Sequence, residues 1–77
     1  MKTDPYFEQR RKVHRIEYRH VEAALDNEVH RERQTDGRWR VWGFVPKLVT
    51  FVRVVLLADE ETVFNAFRDR RFKPPTP

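Results

Sequence analysis

His14, His20 and His30 are the chain's imidazoles, and no two of them stand at the His-x-x-x-His spacing that puts a pair of metal ligands on one helical face. The 77 residues include no cysteine and no serine, so a disulfide framework, a cysteine zinc site, an iron–sulfur cluster and a Ser-His-Asp triad are excluded. Two glycines do not make a phosphate-cradling loop. What remains is chemistry that needs no nucleophile and no cofactor from the protein. Cleavage of RNA by its own 2′-hydroxyl is of that kind, since the protein then supplies a proton acceptor, a proton donor and positive charge for the phosphoryl oxygens. His14 is the candidate for proton transfer, and Arg40, Arg53 and Arg68 are the candidates for charge.

The charge balance agrees with such a partner. Sixteen lysines and arginines against twelve acids give a net charge of +4, and most of the cations are arginine, which pairs bidentately with phosphate and stacks on bases. A very polar small protein that only needs a solvated surface would carry a similar balance.

The elements that would position these residues change character once along the chain. Asp4-Pro5 is a helix start, with a side-chain acceptor followed by a residue that needs no donor. Val13, Ile16, Val21, Ala24 and Leu25 keep a helical spacing, whereas the stretch from Tyr6 to Val13 is nearly all polar. One long helix or two helices bending near Arg15 to Glu17 both fit. From Val29 the period becomes alternating. The expected strands are Val29–Gln34, Arg38–Val45, Leu48–Leu57 and Thr62–Phe67, with turns at Thr35-Asp36-Gly37, Pro46-Lys47 and residues 58–61. The expected fold class is α+β, with an N-terminal helical region packed on a four-stranded antiparallel meander. One domain over residues 1–67 would be followed by a basic, proline-rich tail over 68–77 that does not fold by itself. The longest apolar stretch, Leu48 to Ala58, is too short to span a bilayer, and the first residues lack the apolar core of a signal peptide, so the cytoplasm is the expected compartment.

Alternation splits the sheet into two faces. Val52, Val54 and Leu56, Val41 and Val45, and Phe64 with Ala66 are expected under the helices. Arg38, Arg40, Trp42, Phe44, Phe51, Arg53, Asn65 and Phe67 fall on the other face, a mixture of cations and rings that suits RNA or a protein partner. Arg10 and the tail residues Arg70 and Arg71 extend the same set of nucleic-acid or partner contacts. The aromatics of this face could equally be covered by the C-terminal tail or form a second small core.

Several segments resemble the small BrnT-like and RelE-like domains of bacterial type II toxin–antitoxin systems. They are Arg10, the run from Arg15 to Leu25, Asp36-Gly37-Arg38, Trp42-Gly43-Phe44-Val45, Val52-Arg53-Val54-Val55 and Thr62 to Phe67, so that the likeness spans about Tyr6 to Phe72. The resemblance implies a ribonuclease-toxin fold, action on RNA, and neutralisation by a cognate antitoxin protein that covers the basic cleft. This chain departs from the pattern in having Tyr6 where many relatives carry histidine, Phe7 and Arg11 where they carry small or apolar residues, and Asn65 where they carry threonine. Two functions are therefore expected in competition. One is a metal-independent, toxin-like endoribonuclease. The other is a non-catalytic module that docks a protein partner or a second copy, as a homodimer, through the arginine and aromatic face.

Overall fold

The computed structural model describes residues 1–75. Helix α1 runs from Pro5 to His14; its first turn is capped by Asp4, whose carboxylate accepts from the Tyr6 amide at 2.9 Å. Arg15 ends it in the left-handed region at φ 56°, returning its own amide to the carbonyls of Arg11 and Lys12. Helix α2, Tyr18–Asp26, starts on a reciprocal cap in which the Glu17 amide donates to Nδ1 of the buried His20 at 3.0 Å. The helical region is thus two helices, and the polar stretch of α1 is explained by its buried set, which is Phe7 alone. The Tyr18 hydroxyl donates to Glu8 at 2.6 Å and ties the two helices together.

The sheet contains β1 (Glu28–Arg33), β2 (Trp39–Val45), β3 (Thr50–Leu56) and β4 (Val63–Arg68), antiparallel throughout and in the order β1-β2-β3-β4. The α+β architecture is the expected one. Both helices lie on one face, where Phe7, Ile16, Val21 and Ala24 meet Val41, Val45, Val52, Val54, Leu56, Val63 and Ala66. Gly43 lets α2 descend directly onto β2, with the backbone of Ala24 against its Cα. No helix among the described residues is long and apolar enough to cross a membrane.

Two local expectations are corrected. Leu48 and Val49 are not in the third strand, because Pro46–Leu48 form a 3₁₀ turn that Val49 closes at φ 52°. In β4 the register slips between the pairs Val55↔Asn65 and Leu56↔Val63, and this bulge puts Val63 in the core and moves Phe64 off the helix-facing side expected for it. Beyond the expected end of the sheet, β4 continues to Arg68, and Asp69 and Phe72 pack back onto the strands; Thr76 and Pro77 lie outside the described residues.

Val49 carries a β-branched side chain in the left-handed region while 79% exposed, so it is strained and contributes almost no burial. Val49→Gly is expected to raise stability by about 1 kcal/mol, read as a higher urea midpoint at unchanged slope. An unchanged or lower midpoint would show that the turn carries no such strain.

Candidate nucleic-acid interface

The face away from the helices is organised by cross-strand rungs. His30, Trp42, Arg53 and Phe67 are successive partners across the four strands, Arg40 faces Val55 and Val55 faces Asn65 on the next rung, and Phe44 faces Phe51 on the rung before. The predicted set therefore does share one face. Much of it is already occupied by the protein itself. Phe72 lies parallel to Trp42 with centroids 4.8 Å apart and a 9° interplanar angle, His30 approaches both rings, and Phe51 meets Phe72 edge-on at 5.2 Å. Trp42 is buried in consequence. Of the two arrangements open to these aromatics, covering by the tail is the one found, and Trp42 and Phe51 are not free stacking platforms.

Asp69 anchors the tail. Its amide donates to the Phe51 carbonyl at 2.9 Å, and one carboxylate oxygen accepts from the Trp42 indole at 2.9 Å and from Arg53 Nη2 at 3.1 Å. Burial works to raise the Asp69 pKa, but the indole and guanidinium hydrogen bonds outweigh it and the value lies below the ordinary 3.8. The stability this contributes is present above pH 3.8 and is lost as pH falls through the lowered folded value. Asp69→Asn is expected to cost about 2 kcal/mol at pH 7 and to flatten the acid limb of a stability–pH curve. An acid limb that is unchanged in the variant would remove this account. The only sequence signal for Asp69 was a single carboxylate inside the run Arg68-Asp69-Arg70-Arg71.

Arg68 is also redirected. It pairs with Val52, on the helix side of the sheet, and its guanidinium donates to the carbonyls of His14 at 2.7 Å and Arg15 at 3.5 Å. It closes the C-terminal end of α1 instead of offering charge to a ligand, and so holds the turn that carries His14. Arg53 keeps its place on the outer face, over Phe67 at 4.9 Å, but with its charge balanced by Asp69. Arg70 and Arg71 are exposed beyond β4.

The side of the sheet toward β4 and α1 is less self-satisfied. Tyr6, Arg10 and His14 are spaced four apart and line one side of α1. Tyr6 stacks on Phe64 at 4.8 Å, and the His14 ring stands 5.7 Å from Phe67. Burial and the nearby Arg10 cation lower the His14 pKa from its ordinary 6.5, which leaves the imidazole neutral at pH 7 and able to accept a proton. Arg10 Nε is buried and has no hydrogen-bond partner among the described residues. Neither Arg10 nor Arg40 has a carboxylate within ion-pair distance among the described residues. Arg38 pairs loosely with Asp36 at 3.6 Å and lies over Phe64 at 4.1 Å.

The cavity on the other side of the molecule is acidic. Its volume is about 580 Å³, and it is lined by Glu22, Asp26, Glu60 and Glu61 together with Lys2 and apolar residues. Among the described residues no three His, Asp or Glu side chains converge as metal ligands.

No protein-family model, no curated protein and no solved structure matches the chain.

Proposed function

We propose that this chain is a toxin-like, metal-independent endoribonuclease whose working surface is the outer side of α1 and β4. The observation that carries the reading is the pairing of a neutral, partly buried imidazole at His14 with a cation one helical turn earlier, Arg10, whose Nε is buried and unpaired. His14 takes the proton from a ribose 2′-hydroxyl as its oxygen bonds to the adjacent phosphorus. The bond from phosphorus to the 5′-oxygen breaks, that oxygen takes a proton from water, and the upstream product is left with a 2′,3′-cyclic phosphate. Arg10 balances the charge that builds on the phosphoryl oxygens. Arg40, which has no carboxylate partner among the described residues, and Arg38 extend the positive surface along the strand, whereas Arg53 over Phe67 is held by Asp69. A cognate antitoxin would silence the enzyme by covering Arg10 and His14.

The test is incubation of purified protein with RNA in EDTA, with end-group analysis of the products, alongside growth of cells on induced expression. Cyclic or 3′-phosphate ends and growth arrest are expected. Intact RNA at high concentrations of folded protein, with normal growth, would overturn the reading. Against the competing docking function stands the Trp42 ring, one face of which Phe72 covers.

A further inference from the structure

Asp69 and Phe72 stand together on the outer face as an anion and a planar ring, closed into a turn by the Phe72 amide, which donates to the Asp69 carbonyl at 3.3 Å. The ring lies in a slot. Trp42 is its floor, parallel at 4.8 Å and 9°, with Phe51 edge-on at 5.2 Å and the His30 ring 6.2 Å away. The anion fills a fork of donors beside that slot. One carboxylate oxygen, Oδ2, accepts from the Trp42 indole at 2.9 Å and from Arg53 Nε at 3.3 Å and Nη2 at 3.1 Å. A guanidinium edge and an indole N–H converging next to an aromatic floor are the parts that recognise a phosphate together with a base. Here all three donors share one oxygen, whereas a phosphate offers several.

The tail holds this place by one end only. It leaves the sheet after β4, no strand or helix follows it, and the stack includes none of the residues of the helix-facing core. Phe72 is itself only half-buried, while Trp42 beneath it is 4% exposed. Lifting the tail therefore uncovers the indole and frees Arg53 without opening the core. Arg53 also lies over Phe67 at 4.9 Å, the ring beside His14, which puts the slot next to the proposed base. We propose that residues 69–72 are a built-in stand-in for a nucleotide: Phe72 fills a nucleobase site on Trp42, Asp69 fills the phosphate site at Arg53, and displacement of the tail opens both.

The choice of a nucleotide among aromatic anions rests on the RNA-cleavage reading; the slot itself does not. Stacking on Trp42 is open to any base. Because a ligand competes with the tail, its apparent affinity is the intrinsic one reduced by the fraction of molecules whose tail is released.

Adenosine 5′-monophosphate is the probe, and the Trp42 indole N–H signal in NMR spectra reports on the slot, with that of Trp39, packed against the core, as reference. Phe72→Ala, at full chain length, is expected to bind the probe about tenfold more tightly than wild type. Adenosine should bind this variant about tenfold more weakly than the monophosphate, and adding Arg53→Gln should remove that preference. In wild type, saturation with the probe should release the Phe72 ring signals from the shift that stacking on Trp42 imposes. Equal affinity of Phe72→Ala and wild type, a Trp42 signal that stays in place on titration, or a phosphate preference that survives Arg53→Gln would each overturn the stand-in. So would an amide spectrum showing Phe72→Ala unfolded, since Phe72 would then be a packing residue. RNA cleavage by the wild type in those cases leaves the enzymatic reading intact. Probe binding at Trp42 by a protein that cleaves no RNA would remove the enzymatic reading and keep the slot.

Discussion

Gly43→Ala is expected to remove much of the stability of the fold. A Cβ built on Gly43 would sit 2.8 Å from the Ala24 Cα and 2.5 Å from its carbonyl carbon, with the carbonyl oxygen nearer still. These are backbone atoms in the last turn of α2, and they cannot rotate away as a long side chain would. Relief would require α2 to lift from β2. That movement would open the contacts of Val21 and Ala24, both fully buried, and pull on the Asn27 side chain, which donates to the Phe44 carbonyl at 3.0 Å. Overpacking of a core commonly costs about 1–3 kcal/mol, and a backbone clash belongs at or beyond the top of that range. The total stability of a domain this size is about 4–12 kcal/mol, so much of it would be removed. Circular dichroism and urea denaturation decide the matter: a lost or strongly lowered midpoint is expected, and a midpoint within experimental error of wild type would show that α2 does not need this approach.

Gly43 also illustrates what was legible in the sequence. The alternation of Trp39, Val41, Gly43 and Val45 assigned it to the helix-facing side of β2, and the periodicities on either side of residue 28 assigned helices before strands. Those are local patterns, and they followed from side-chain geometry alone. The β4 bulge was not legible in the same way. Thr62 to Phe67 alternates equally well in either register, and the choice is made by tertiary packing, which puts Val63 opposite Leu56 with the amide of Asp4 donating to the Val63 carbonyl at 2.9 Å. Where the tail docks was not legible for a related reason. Its composition is basic and proline-rich, yet Asp69 and Phe72 find a carboxylate's and a ring's partners on strands distant in sequence. Arg68 was placed among the charge donors because an arginine's type says nothing of which side of the sheet it leaves from. The site suffered accordingly: its cations were named, but which were already spent on Asp69 and on the end of α1 depended on contacts between residues 16 to 54 positions apart.

If the proposed chemistry holds, His14→Gln should lower the rate of RNA cleavage by about 10²–10⁴ while leaving the fold in place. Glutamine keeps similar length and polarity at a half-buried position and cannot accept the proton. The main role of Arg68 toward this turn runs through the His14 carbonyl, which the substitution preserves. The pH profile separates a proton acceptor from a residue that only shapes the surface. Burial and Arg10 lower the folded pKa of His14, so the neutral, accepting form is populated at pH values somewhat below the ordinary 6.5. Wild-type cleavage should rise with pH through that lowered value and then level off; the residual rate of His14→Gln should lack this limb. Arg10→Gln adds a second readout. Removing the cation lets the His14 pKa rise toward its ordinary value, so the limb should move to higher pH as the maximal rate falls. Stability has to be followed in the same buffers, because His20, also held below 6.5 chiefly by burial and accepting from the Glu17 amide through Nδ1, charges as pH falls and weakens the start of α2. That loss affects wild type and His14→Gln alike, whereas the catalytic limb belongs to wild type alone. Equal rates and equal pH profiles for the two proteins would assign proton transfer to another group.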